Sequence, residues 1–121
     1  MKRSQSTTLS DLRDSLRRFA ADRDWDQYHS PKNLASALIV EAAELLEHFQ
    51  WLTADGSRGL TAKQLARVRE EMADVLIYLV RLADKLNVDL LEAARKKIKK
   101  NTQKYPVHKA RGSSRKYSEL E

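Results

Sequence analysis

Leu9, Leu12, Leu16, Phe19 and Ala20 recur at intervals of three and four residues, the spacing that lines one side of an α-helix. This predicts a first helix from about Ser10 to Arg23. An aromatic, polar connection follows over 24–30, DWDQYHS. Ser30-Pro31 then has the chemistry of a helix start, with Ser as N-cap and Pro at the first helical position. Leu34, Leu38, Ala42, Leu45, Phe49 and Leu52 form the apolar stripe of a second helix that reaches to about Leu52 without a breaker. Gly56 and Gly59 mark 55–60 as a turn or short mobile loop. Thr61 and Gln64 have capping-box spacing. They open a third helix to about Leu86, whose stripe is Val68, Met72, Val75, Leu79, Leu82 and Leu86. Asn87 can end it in a left-handed conformation. Asp89 and Glu92 repeat the cap signature for a fourth helix to about Gln103, and Pro106 stops it. The last fifteen residues read as irregular. No strand alternation and no repeat is present, so the expectation is an all-α, four-helix bundle.

Composition strengthens this picture. The 121 residues include only 3 Gly and 2 Pro, and 33% are charged, a helix-favouring balance. The length suits a single domain over 1–121, with a helical core of about 10–103 and a C-terminal tail over 104–121. A helical layer of this size leaves apolar surface exposed, so self-association is expected. The absence of Cys excludes a disulfide framework and a thiolate metal site. No signal-peptide core and no membrane-spanning run is found, which makes a soluble, cytoplasmic protein the expectation.

Charge is distributed unevenly. The formal net charge is +6, but residues 95–121 hold ten Lys or Arg against two Glu. Residues 1–94 hold thirteen basic against fifteen acidic residues. The positive end can meet nucleic acid, a membrane surface or the phosphates of a small ligand, and charge alone does not choose among them.

The carboxylates narrow the choice. At about 100° per residue, Glu41 projects roughly 20° from Leu34 and Leu52, at the edge of the second helix's stripe. Glu44 follows at i+3. Glu71 and Asp74 occupy the matching border of the third helix, again at i,i+3. Short connections make these helices antiparallel neighbours, so the two borders can face one groove. Four carboxylates there would repel one another and be costly to desolvate. A hard divalent cation such as Mg²⁺ answers that problem and bridges to substrate phosphates. A lone Glu-x-x-Glu is commonplace, and Glu47, Glu70 and Glu92 read as solvated faces or local ion-pair partners. The second, similarly placed pair is the informative feature.

Glu41-x-x-Glu44 followed by Glu71-x-x-Asp74 resembles the defining motif of the MazG-like nucleoside triphosphate pyrophosphohydrolases. RDWDQYHSPKNL (23–34), EAAELLEHFQW (41–51), EEMADVLIYLVRLAD (70–84) and NTQKYPVHKARGSSRKY (101–117) look like the dCTP pyrophosphatase branch of that family. The resemblance runs from Leu12 to Tyr117. It implies an all-α enzyme, assembled as a homo-oligomer (a tetramer favoured, a dimer possible), that cleaves a nucleoside triphosphate to the monophosphate and pyrophosphate. It implies Mg²⁺ held by Glu41, Glu44, Glu71 and Asp74. It further implies that Trp25, His29, Trp51 and Tyr78 line the nucleotide pocket, with Lys97, Asn101 and Lys104 near the substrate. dCTP or a modified dCTP is the implied substrate, and removal of unwanted nucleotides the implied purpose. Leu16 departs from some relatives of this branch, which place a polar residue near the base, so the cytosine preference stays open.

The residue chemistry is compatible with this. Trp25, Trp51 and Tyr78 offer flat faces for a base or sugar, and His29 and Asn101 can read an exocyclic edge. Each also has an ordinary reading: a tryptophan at a helix end as packing, His29 as a loop histidine. Glu41 or Glu44 is the candidate general base. The basic fourth helix and the RGSSRK segment (111–116) are candidates to close over phosphates. Two other functions compete with hydrolysis. A basic helical nucleic-acid-binding module would use residues 95–121, but would be repelled by four carboxylates along an apolar groove. A plain oligomeric scaffold would pair Glu41 and Glu71 with basic side chains, of which only Arg67 is suitably placed.

Overall fold

Five of the helix starts carry the same device. Thr8, Ser30, Thr53, Thr61 and Asp89 each accept a hydrogen bond from the backbone N–H three residues further on, which satisfies one of the orphan donors of a first turn. The helices they open are α1 (Leu9–Asp22), α2 (Pro31–Glu47), α3 (Ala54–Arg58), α4 (Ala62–Lys85) and α5 (Leu90–Lys104). A short α6 (Val107–Ala110) follows, and 3₁₀ turns occupy Asp26–Tyr28 and Tyr117–Glu119. The computed structural model describes residues 8–121 and contains no strand among them. The all-α expectation holds. Among the described residues, no helix is long and apolar enough to cross a membrane.

Three boundaries differ from the sequence reading. α2 ends at Glu47, five residues early. There the backbone tightens, with His48 N–H on Leu45 O, Phe49 N–H on Leu46 O and Leu52 N–H on Phe49 O; these i→i−3 turns replace the α pattern. The stretch read as a loop at 55–60 holds α3. Thr53 caps it through Gly56 N–H at 3.0 Å, and Asp55 and Arg58 pair across its turn at 2.6 Å. The tail is also more regular than expected. Pro106 ends α5 but opens α6, because its extended backbone places it at an N-cap. The Thr61–Gln64 capping box is complete in both directions. Asn87 adopts the left-handed conformation, with φ 55°.

The chain divides into two compact units, one ending at Asn87 and one comprising Val88–Glu121. In the first unit α2 packs chiefly on α4, and α1 also packs on α4. Asp26 and His29, just before α2, meet Arg81 near the end of α4. Glu41 and Glu44, further along α2, meet Glu71 earlier on α4. The two helices are therefore antiparallel. Ala20, Leu34, Val68, Val80 and Ala83 form the buried apolar core. The predicted stripe of α4 needs correction. Met72 and Leu86 are exposed, while Val80, Arg81 and Ala83 are buried, because α4 is contacted from two sides and its covered face is wider than one stripe. Ile39, Val40, Leu46 and Leu65 also remain exposed.

The second unit is held by local contacts. Lys96 pairs with Glu92 at 2.7 Å across one turn of α5. Tyr105 meets Tyr117 edge to face at 6.2 Å, and the Lys104 ammonium lies 4.8 Å from the centre of the Tyr117 ring. Gly112 takes φ 75° where the chain turns after α6.

One buried cation anchors the first unit. Arg81 is 4% exposed; it pairs with Asp26 at 3.0 Å and Asp84 at 3.5 Å. Asp84 in turn accepts two hydrogen bonds from Arg17 of α1. Arg17 above all, through these bonds, and the Arg81 charge as well, hold the Asp84 carboxyl below its ordinary range. Its stabilising contribution is therefore present above the usual carboxylate pKa and lost as pH falls through the depressed value. Asp84→Ala should lower unfolding stability by about 2–4 kcal/mol, since it strips a partner from a buried guanidinium. Urea unfolding at neutral pH measures this, and the deficit relative to wild type should shrink at strongly acidic pH.

Candidate metal centre

Antiparallel packing of α2 against α4 sets the geometry of the carboxylates. An i,i+3 pair on a helix projects to one side, and the apolar stripes fix that side towards the neighbouring helix. Glu41 and Glu44 of α2 and Glu71 of α4 thus come together, each offering an oxygen within 4.8 Å of the others. Asp74 lies outside that group, although its charge acts on Glu41. All four side chains are half-buried.

The electrostatics are those of a crowded carboxylate cluster. Burial, then hydrogen bonding to Glu44 and Glu71, then the charges of Glu44 and Asp74 push the Glu41 pKa up from 4.5 to about 7. One carboxylate oxygen of Glu41 and one of Glu71 are buried without a hydrogen-bond partner. Buried polar atoms are nearly always satisfied, so these two oxygens are available to a partner that donates no hydrogen bond but binds oxygen directly. A hard divalent cation has that chemistry. Among the described residues, no salt bridge reaches Glu41, Glu44, Glu71 or Asp74. The interhelical ion pairs that a plain scaffold would need, including one to Arg67, are absent from that set.

The aromatic and polar candidates fall in different places. Tyr78 is half-buried on α4, one turn beyond Asp74. Trp25 is 45% exposed and packs edge to face on Phe19 at 5.6 Å. His29 is half-buried, with Nδ1 3.1 Å from Arg81. Trp51 follows the early end of α2 and is 88% exposed. Lys97, Asn101 and Lys104 are exposed on α5 in the second unit. The sequence reading missed Arg81, Asp26 and Asp84. Their signal was weak: an arginine inside an apolar helical run is visible, but only its buried position gives it meaning.

The family model for MazG-like proteins matches residues 37–120, which contain all four carboxylates. The chain belongs to the MazG-like family. Its relatives include dCTP pyrophosphatase 1 of Homo sapiens, 49% identical over 119 residues, covering 97% of this chain and 70% of that protein. The Mus musculus protein of the same name is 48% identical over the same shares. A solved structure of a pyrophosphatase from Archaeoglobus fulgidus DSM 4304 superposes with a TM-score of 0.78 at 41% identity, over 88% of this chain and 99% of that one. The family and branch expected from the sequence are borne out. So is the expectation that this MazG-like chain is an enzyme of the pyrophosphohydrolase kind.

The raised Glu41 pKa has a stability consequence. An acid whose folded pKa lies above its unfolded value stabilises the fold when protonated, and that contribution is lost as pH rises through the folded pKa. With chelator present, Glu41 should therefore destabilise the protein progressively between about pH 4.5 and 7. His29, whose pKa is lowered chiefly by burial, contributes an opposite slope just below its ordinary pKa. Comparison of wild type with Glu41→Gln isolates the Glu41 term. The Tm difference should favour the variant increasingly as pH rises, and added Mg²⁺ should restore the wild type alone.

Proposed function

We propose that this chain hydrolyses a nucleoside triphosphate to the monophosphate and pyrophosphate in a Mg²⁺-dependent reaction, with dCTP or a modified dCTP as the substrate. The observation that carries the reading is the cluster of Glu41, Glu44 and Glu71, with two buried oxygens left unpartnered. Its setting is a chain close to half identical to dCTP pyrophosphatases. That similarity supports the base preference.

Glu41, Glu44, Glu71 and Asp74 are the residues that would hold Mg²⁺. When bound, the ion supplies neutralisation of the triphosphate charge and orients a water for in-line attack. The chain's own contribution is positional. α2 and α4 hold the carboxylates at fixed separation, so little reorganisation is required when charge develops. Glu41 or Glu44 takes the proton of the attacking water through an oxygen not used in ligation. Tyr78, on the same side of α4 one turn from Asp74, offers a ring to the sugar or base, and Trp25 and His29 extend that surface. The exposed apolar side chains of α2 and α4, Ile39, Val40, Leu46, Leu65 and Met72 among them, support assembly as a homo-oligomer, with a tetramer favoured. Such assembly would give the exposed Trp51 a covered position.

Incubation with a panel of deoxynucleoside and ribonucleoside triphosphates, with and without Mg²⁺, tests the reading through pyrophosphate release. dCTP or a 5-modified dCTP should be the best substrate, and chelator should abolish turnover. Glu41→Ala and Asp74→Ala should each reduce kcat/KM by at least about a hundredfold, the scale expected when a metal-organising group is lost. Activity on no triphosphate, or full activity in both variants, would sink the proposal.

A further inference from the structure

Arg81 and its partners form a polar cluster that the hydrolytic centre does not explain. Arg81 lies seven residues beyond Asp74 on α4, about 10 Å along the helix and within about 20° of the same side. Tyr78 lies between them. Asp74, Tyr78 and Arg81 thus form one line that leads away from the carboxylates, over a length comparable to that from the phosphates of a nucleotide to its base. At its far end stands His29.

The contact between Arg81 and His29 has only one chemical solution. A guanidinium has five N–H donors and no acceptor. One terminal nitrogen of Arg81 lies 3.0 Å from an Asp26 carboxylate oxygen and 3.1 Å from His29 Nδ1. Its two protons serve these two acceptors, so Nδ1 must present its lone pair. In a neutral imidazole the proton then sits on Nε2. No hydrogen bond among the described residues uses Nε2, and it is not among the buried unpartnered atoms. It is therefore a donor free to meet a ligand.

The surroundings keep the ring neutral. Lys85, one turn beyond Arg81, also bonds the Asp26 carboxylate, so two cations and one anion face His29. Burial first, and then the Arg81 charge, lower its pKa, with Lys85 acting in the same sense and Asp26 opposing. The segment that carries His29 is itself pinned. Asn33 donates to Tyr28 O at 3.0 Å, and Trp25 N–H donates to Ala20 O at 2.9 Å. The Arg81 Nε, also buried, has no partner. A guanidinium with an unsatisfied proton is thus retained in a site where an apolar residue would pack without that penalty.

We propose that Arg81 is a positioning residue that locks His29 in its Nε2–H tautomer, presenting a fixed donor to an acceptor oxygen on the nucleoside end of the substrate. This rests on the hydrolase reading above and adds a specificity element to it. A fixed donor favours a base that offers a carbonyl oxygen and disfavours one that offers an amino group at the same place, which would leave two donors opposed.

The test combines a spectroscopic and a kinetic readout on the full chain. Long-range ¹H–¹⁵N spectra of the labelled imidazoles should show His29 with Nδ1 unprotonated and a titration below that of an ordinary histidine. Arg81→Lys keeps donors with no acceptor and should preserve the tautomer. Arg81→Met should give mixed tautomers, and KM for the preferred triphosphate should rise about tenfold, the scale of one lost hydrogen bond to substrate, with the loss falling on KM rather than kcat. The deficit should be smaller at pH 6 than at pH 8, because a protonated ring carries an N–H at Nε2 whichever neutral tautomer it would otherwise adopt. His29→Gln places an amide donor near the former Nε2 and should retain more affinity than His29→Phe; this pair carries the test if Arg81→Met fails to fold. A wild-type ring protonated at Nδ1, or Arg81→Met and His29→Phe proteins with unchanged KM, would overturn the proposal. A merely structural Arg81 would lower stability without moving the tautomer or the pH dependence of KM. Inactivity of the wild type on every triphosphate would instead remove the hydrolase reading and the nucleoside acceptor with it, while the tautomer could still be read from the spectra.

Discussion

Repulsion among Glu41, Glu44 and Glu71 is the interaction on which the rest of the first unit turns. Three carboxylate oxygens within 4.8 Å of one another cannot all carry charge without cost, and burial first, then hydrogen bonding to Glu44 and Glu71 and the neighbouring charges, raises the Glu41 pKa. The site persists because α2 and α4 are held together by forces that act elsewhere along their contact. Leu34 and Val68 supply apolar burial, and the capping box of Thr61 and Gln64 fixes where α4 begins. Stability thus comes from the apolar faces of two antiparallel helices, and the proposed function from an unfavourable cluster on their border. A cation held there would turn that cluster from a penalty into a binding energy.

Balanced against it, at the other end of the same helix pair, is a cluster in which charges compensate. Arg17, Asp84, Arg81, Asp26 and Lys85 alternate in sign and link α1, the segment before α2 and the end of α4. This network clamps the entry of α2, and so sets the direction in which α2 approaches the carboxylates. Because the clamp includes His29, the same contacts that hold the fold would, in the proposed scheme, also set the tautomer of a side chain that reads the nucleoside. Mg²⁺ chemistry and base selection would then sit at opposite ends of one α4 face, joined by Tyr78.

Much of this was legible beforehand in particular residues. Ser30-Pro31, Thr61 with Gln64, and Asn87 marked helix limits because caps are local chemistry that needs no tertiary information. The i,i+3 pairs at 41/44 and 71/74 were legible because a helix turns predictable side-chain positions to one side. The end of α2 and the short α3 were not. A shift from α to i→i−3 bonding near His48 involves small energy differences that no spacing pattern records, and the two glycines of 55–60 masked a Thr53 cap. The network of Arg81 was illegible for a different reason: Arg17, Asp26, Arg81 and Asp84 are separated by up to 67 positions in the chain, and pairing at that range appears only when helices pack.

The amino-acid sequence by itself determined the helical class, most helix limits, the four carboxylates and the family to which they belong. These follow from periodicity, capping and motif spacing, all of which act within one or two turns or within one recognisable pattern. Tertiary structure alone decided which three carboxylates share an ion-sized space, that Asp74 stands slightly apart, that Trp51 is left exposed, and that Arg81 is buried against His29. Each of these depends on how two helices from distant parts of the chain approach one another. That approach is set by the whole packed face and by no single residue on it.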